Sequence, residues 1–154
     1  MTPQSVQVLL VDDNPADAEL VLVTLAGSVS PSIYHVHDGE EALDFLFCRA
    51  DYAERHFEQL PRLVLLDLKL PKVNGLEVLR EIRGDPRTRS IPVVLLTSSK
   101  MERDVLEGYR LGVNSYIQKP VDFEEFRETV KDIGRYWLER NEPPPPPTDE
   151  PELT

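Results

Sequence analysis

A chain of 154 residues is long enough for one domain, with a core that buries roughly 70% of the unfolded surface and needs neither metal nor disulfide to hold it. Its 17 basic and 28 acidic side chains leave a net charge of −11, of which residues 1–140 carry −7, a field that argues against nucleic acid as a direct partner. The single cysteine, Cys48, excludes an intrachain disulfide, and the first apolar run stops at Asp12, too short for a signal peptide or a membrane span. A soluble, cytoplasmic protein with no membrane partner is expected.

In chain order, residues 6–11 (VQVLLV) predict a buried strand and residues 15–26 an amphipathic helix. Residues 33–37 form a weaker second strand, and Asp38 caps a helix over 39–47. A long connection over 48–61 follows, with Tyr52, His56 and Phe57 scattered among charges. Residues 63–67 (LVLLD) and 93–97 (VVLLT) are nearly unbroken Val/Leu runs, the pattern of strands covered on both faces of a parallel sheet. Helices over 75–83 and 101–111 alternate with them, and 115–118 is a short last strand. The final helix spans about 122–140, with Phe123, Phe126, Val130, Ile133 and Trp137 as its inward stripe. This alternation predicts an α/β, doubly wound (βα)5 fold of flavodoxin-like type: five parallel strands with helices on both faces. Residues 141–154 hold six prolines and four acids, and are expected to be a disordered tail with polyproline II character.

In an open parallel sheet, function collects beyond the C-terminal ends of the strands. Asp12 and Asp13 stand there after the first strand, Asp67 after the third, Thr97 on the fourth and Lys119 after the fifth. One acid at a strand end is ordinary turn chemistry; five such residues on one edge are not. Three clustered carboxylates repel one another unless a cation sits among them, and oxygen ligands on a partly open rim suit Mg²⁺. Phosphoryl transfer needs charge neutralised on the equatorial oxygens, which a metal, the Lys119 ammonium and the Thr97 hydroxyl can share. Asp67 is then the nucleophile and forms a mixed anhydride.

The segments VDDN at 11–14, LLDLKLPKVNG at 65–75, LTSS at 96–99 and YIQKP at 116–120 resemble the CheY-like receiver domains of two-component response regulators. The resemblance covers about residues 5–140. It implies that Asp12 and Asp13 are the metal-binding acidic pair, with Asp13 a direct ligand, and that Asp67 and the Lys69 carbonyl complete the protein ligands. It also implies a switch hydroxyl at Thr97, a phosphate-binding Lys119, an aromatic switch at Tyr116 and a cis peptide before Pro120. Within that family the chain looks most like regulators that accompany phytochrome-type histidine kinases, on its long third connection and the Trp137–Leu138 pair. Those often carry asparagine where this chain has Lys69.

Competing readings fit less well. A flavin-binding relative of the same topology would find Asp12 and Asp13 repelling its phosphate, and a dehalogenase-type phosphohydrolase wants a second acid where Lys69 stands. His35, His37 and His56 lack clustered partners, and Gly75 reads as a loop-to-helix turn. Tyr136 and Leu138 flank the stripe of the last helix without an obvious core position, which suggests association. The expectation is a histidine kinase partner and a homodimer through the fourth helix, fifth strand and fifth helix.

Overall fold

The computed structural model describes residues 6–27 and 32–145. Five strands form one parallel sheet in the order β2-β1-β3-β4-β5: β1 (Val8–Val11), β2 (Ile33–Val36), β3 (Leu63–Leu66), β4 (Val93–Thr97) and β5 (Ser115–Gln118). The helices are α1 (Pro15–Ala26), α2 (Gly39–Leu46), α3 (Gly75–Gly84), α4 (Glu102–Arg110) and α5 (Phe123–Gly134). Most strand and helix ends fall within a residue or two of the sequence expectation. The proline-rich tail expected to be disordered lies, from residue 146 on, outside the described residues.

The central strands are buried along their whole length because alternate residues feed two separate cores. Val8, Leu10, Leu63, Leu65, Val94 and Leu96 meet α1 and α5 on one face. Leu9, Val11, Val64, Leu66, Val93 and Leu95 meet α2 and α3 on the other. Each fully buried Leu or Val contributes about 1.5–3 kcal/mol, so these runs outweigh local propensity. β2 and β5 are only half-buried because they are the sheet edges, which explains why their apolar signal is weaker.

Side-chain caps start most of the helices. Asn14, Asp38, Asn74 and Asp122 each accept backbone N–H bonds from the first turn that follows them.

The last helix departs from the expected stripe. After Gly134 it widens into a π-helix, Arg135–Arg140, closed by the Asn141 N–H donating to the Tyr136 carbonyl at 2.7 Å. Phe126, Val130 and Ile133 face inward at α spacing, but the next buried apolar side chain is five positions on, Leu138, with Trp137 packed half-buried against the same core, because the wider turn shifts the phase. Leu138 is therefore core, Trp137 half-buried, and Tyr136 exposed. Phe123, expected inside, is 61% exposed, because it opens the helix beyond the end of the sheet.

The connection over 48–61 is more built than its sequence suggests. Two short 3-10 turns, Ala50–Tyr52 and Phe57–Gln59, bring Tyr52 and Arg55 into the interior. Arg55 lies over the Phe45 ring at 3.7 Å and donates to the carbonyls of Phe45 and Gln59. The Tyr52 and Tyr34 hydroxyls bond at 2.8 Å, and both rings contact Phe45. The cis peptide expected before Pro120 is not found: no described peptide bond is cis.

Candidate functional site

Sheet order decides where the site lies. β1 has β2 on one side and β3 on the other, so the chain changes winding direction between β1 and β3 and leaves a crevice at their C-terminal ends. Val11 pairs with Leu66, so the next residues, Asp12 and Asp67, stand side by side at that crevice. Thr97 pairs with Gln118, which places Lys119 one step beyond it. Four strands thus deliver the five expected residues to one edge.

At its centre is the Lys119 ammonium. Its Nζ donates to Asp12 Oδ2 at 2.8 Å, Asp67 Oδ2 at 2.8 Å and Asp17 Oδ2 at 2.9 Å. Lys119, Asp12 and Asp67 are all buried, whereas Asp13 is exposed at the rim. Burial alone would lower the Lys119 pKa, but the bonds to Asp12, Asp67 and Asp17 outweigh it and raise it above the ordinary lysine value. Burial pushes the Asp12 carboxyl up, against the lowering effect of Lys119 and of the Asn14 N–H, which bonds Asp12 Oδ1 at 2.9 Å.

Asp12, Asp13 and Asp67 each offer a carboxylate oxygen within 4.8 Å of the others, the one group of this kind among the described residues. Two buried acids and one rim acid, oxygen donors only, fit a hard divalent cation that keeps part of its water. The Lys69 N–H donates to Asp67 Oδ1 at 3.2 Å, which holds the turn on which Lys69 sits, and the Lys69 side chain is exposed.

Thr97 is fully buried, and its Oγ1 accepts from the Ser99 N–H at 3.4 Å. Ser99 in turn donates through its hydroxyl to Asp104 Oδ2 at 2.6 Å. The Tyr116 hydroxyl donates to the Ser99 carbonyl at 2.9 Å. Thr97 and Tyr116 are therefore linked through one loop residue between β4 and α4.

Several contributing residues escaped the sequence reading. Asp17 lies on the first turn of α1 and reads as an ordinary helix-start acid. His35 Nε2 donates to the Asp12 carbonyl at 2.8 Å and so buttresses the end of β1, a role no sequence pattern announces. Gly75 packs so closely that a Cβ there would stand 2.2 Å from the Asp67 carbonyl oxygen. Its N–H bonds the Leu68 carbonyl at 2.7 Å, so only glycine lets α3 approach the Asp67 turn this closely.

A buried, lysine-paired aspartate at the switch point of a five-stranded parallel sheet, beside two further acids and a buried threonine hydroxyl, defines a phosphoacceptor class of signalling domain. Residues 8–131 match the response regulator receiver domain, and the chain belongs to that family. It is 44% identical over 140 residues to the probable methanogenesis regulatory protein FilR2 of Methanothrix harundinacea, covering 90% of this chain and 88% of that one. The phosphorylated cyanobacterial phytochrome response regulator RcpA superposes with a TM-score of 0.85 at 40% identity, over 91% of this chain and 99% of that one. The Mn²⁺-bound form of response regulator Rcp1, a protein of Synechocystis, gives 0.84 at 38% identity over 92% and 99%. The chain is thus a two-component receiver related to phytochrome response regulators, in a family that is phosphorylated on aspartate with a divalent metal. No described helix is long and apolar enough to cross a membrane.

Proposed function

We propose that Asp67 accepts a phosphoryl group from the phosphohistidine of a sensor histidine kinase, with Mg²⁺ held by Asp12, Asp13, Asp67 and the Lys69 carbonyl. The observation that carries this is the Lys119 ammonium, 2.8 Å from both Asp12 and Asp67. It presents a carboxylate nucleophile beside a fixed cation where phosphoryl charge must be received. An Asp67 carboxylate oxygen attacks phosphorus, the P–N bond to the imidazole breaks, and its electron pair stays on the ring nitrogen. Lys119 then neutralises one phosphoryl oxygen, and the Thr97 hydroxyl donates to another. The metal supplies charge neutralisation between carboxylates and phosphoryl oxygens that would otherwise repel.

Movement of Thr97 toward the phosphoryl group would pull on the Ser99 amide and release or tighten the Tyr116 hydroxyl, and so convert chemistry into a change of the α4–β5 surface. Output is altered protein association; the chain assists its own phosphorylation and dephosphorylation in the cytosol and turns over no metabolite. The likeness to RcpA and Rcp1 favours a phytochrome-type kinase as donor. Asp67→Asn tests the reading: an amide cannot form the anhydride, so labelling by kinase or by acetyl phosphate should vanish in a folded protein, as it should in excess EDTA for the unaltered chain. An acid-stable, base-labile phosphate on the variant would refute it.

Met101, Leu106 and Tyr109 at or on α4, and Val121 between β5 and α5, are exposed apolar residues of these elements, which supports the homodimer there. Sedimentation at micromolar concentration should show a dimer that Leu106→Ser with Tyr109→Ser dissociates. A clean monomer with and without a phosphoryl mimic would remove the dimer.

A further inference from the structure

Three carboxylates share the Lys119 ammonium, yet only Asp12 and Asp67 belong to the acid group that can hold a metal. Asp17 is the outsider, partly exposed at 28% on the first turn of α1. An acid at this helix position often bonds back to the cap residue's own N–H. Here that N–H is taken by Asp12 Oδ1, and the Asn14 side chain itself caps the N–H groups of Ala16 and Asp17. The Asp17 carboxylate instead spans the crevice to Lys119.

An ammonium has three donors, and in the resting site the three carboxylates occupy all of them. Phosphorylation turns the Asp67 carboxylate into an anhydride and moves its charge onto the phosphoryl oxygens. Lys119 must follow that charge. Asp12 would help hold the metal when the phosphoryl arrives, whereas Asp17, outside that acid group, would have no such alternative and would keep its hold. Its negative charge also stands within one lysine headgroup of the incoming dianion.

We propose that Asp17 is a positioning residue that ties Lys119 to α1 in the resting protein and competes with the phosphoryl group for the ammonium. This rests on the reading of Asp67 as phosphoacceptor. It makes the acid on α1 a determinant of how readily the site charges.

The test is binding of beryllium fluoride, an acyl-phosphate mimic, at saturating Mg²⁺, followed by ¹⁹F NMR. Asp17→Asn keeps the side chain's size and removes its charge, and should bind the mimic about three- to tenfold more tightly. Asp17→Ala should show the same gain, so the result does not hang on one variant folding. Asp17→Glu, which restores the charge, should return affinity toward that of the unaltered chain; a merely structural role for Asp17 would not sort the variants by charge. Unchanged or weaker binding by both neutral variants, beside an unaltered chain that binds, overturns the competition alone. If the unaltered chain binds no mimic, or Asp67→Asn binds it equally well, the reading of Asp67 falls and this one with it.

Discussion

Among the described residues two cations are buried, Lys119 at 8% exposure and Arg55 at 4%, and they are held in opposite ways. Lys119 sits among three carboxylates at the open edge of the sheet. Arg55 is held by an aromatic face and carbonyl oxygens inside the connection between α2 and β3. The surroundings move their pKa values in opposite directions: up for Lys119, where anions outweigh burial, and down for Arg55, where burial prevails. The difference teaches what each is for. Anionic partners can be exchanged for another anion, a phosphoryl group, whereas neutral carbonyls and a ring offer nothing to exchange. Arg55 fastens a segment, and Lys119 holds a reaction site ready.

The largest effect expected from breaking this contrast is at Lys119. Lys119→Met leaves Asp12 and Asp67 buried together without their cation. Removing one partner of a buried ion pair costs about 3–5 kcal/mol, and chemical denaturation at pH 7 in EDTA should show a loss of that order. The Asp12 carboxyl, already raised by burial, loses the bond that lowers it and rises further. A raised carboxyl stabilises the fold below its unfolded pKa, near 3.9, and that contribution disappears as pH climbs through the folded value. The gap between variant and unaltered chain should therefore narrow from pH 7 toward pH 4, and Mg²⁺ should close part of it at pH 7. A gap independent of both pH and Mg²⁺ would mean that the lysine merely packs.

Arg55→Met should cost less. It forfeits the stack on Phe45 and leaves the carbonyls of Phe45 and Gln59 without their donor, a loss of about 1–3 kcal/mol. The contacts forfeited here are to a ring and to carbonyls outside the acid group, so the loss should be indifferent to Mg²⁺. Acetyl phosphate should label the variant as fast as the unaltered chain. Slower labelling would show that the connection reaches the site, and the contrast between the two cations would fail.

The same contrast explains what could be read from the sequence. Asp12, Asp67 and Thr97 were legible because each ends a strand whose Val/Leu run is unmistakable, Lys119 because the YIQKP segment around it resembles the family's, and parallel topology brings strand ends together. Arg55 and Tyr52 were not, because an irregular segment has no period and their burial depends on where two short 3-10 turns point them. Asp17 looked like a helix-start acid because its partner is 102 residues away in sequence. Leu138 took the core place expected of Trp137 because a π-helix shifts the inward stripe by one residue, a change in hydrogen bonding that leaves no mark in composition. Phe123 is exposed for a separate reason, its place as the first residue of α5. What the sequence concealed is mostly side-chain direction rather than topology.

The smallest effect expected is at Lys69, a cation of a third kind. It is exposed, and what the site uses of it is main chain: an N–H to Asp67 Oδ1 and, in the proposed site, its carbonyl. Its ammonium stands in water, where screening leaves a charge pair worth about 0–1 kcal/mol. The long, exposed side chain still rises from the turn that carries the proposed phosphoacceptor, and there it would hinder a hydrolysing water. Lys69→Asn shortens it and removes the charge, and should speed loss of the phosphoryl group by up to about fivefold, the equivalent of about 1 kcal/mol in barrier. Mg²⁺ affinity should barely move, since the proposed ligand is the carbonyl and every residue has one. Decay of the purified phosphoprotein after removal of donor, measured beside a Mg²⁺ titration, separates the two roles. Identical decay curves would take the Lys69 side chain out of the mechanism, and a large drop in Mg²⁺ affinity would show that its charge, and not only its backbone, shapes the metal site.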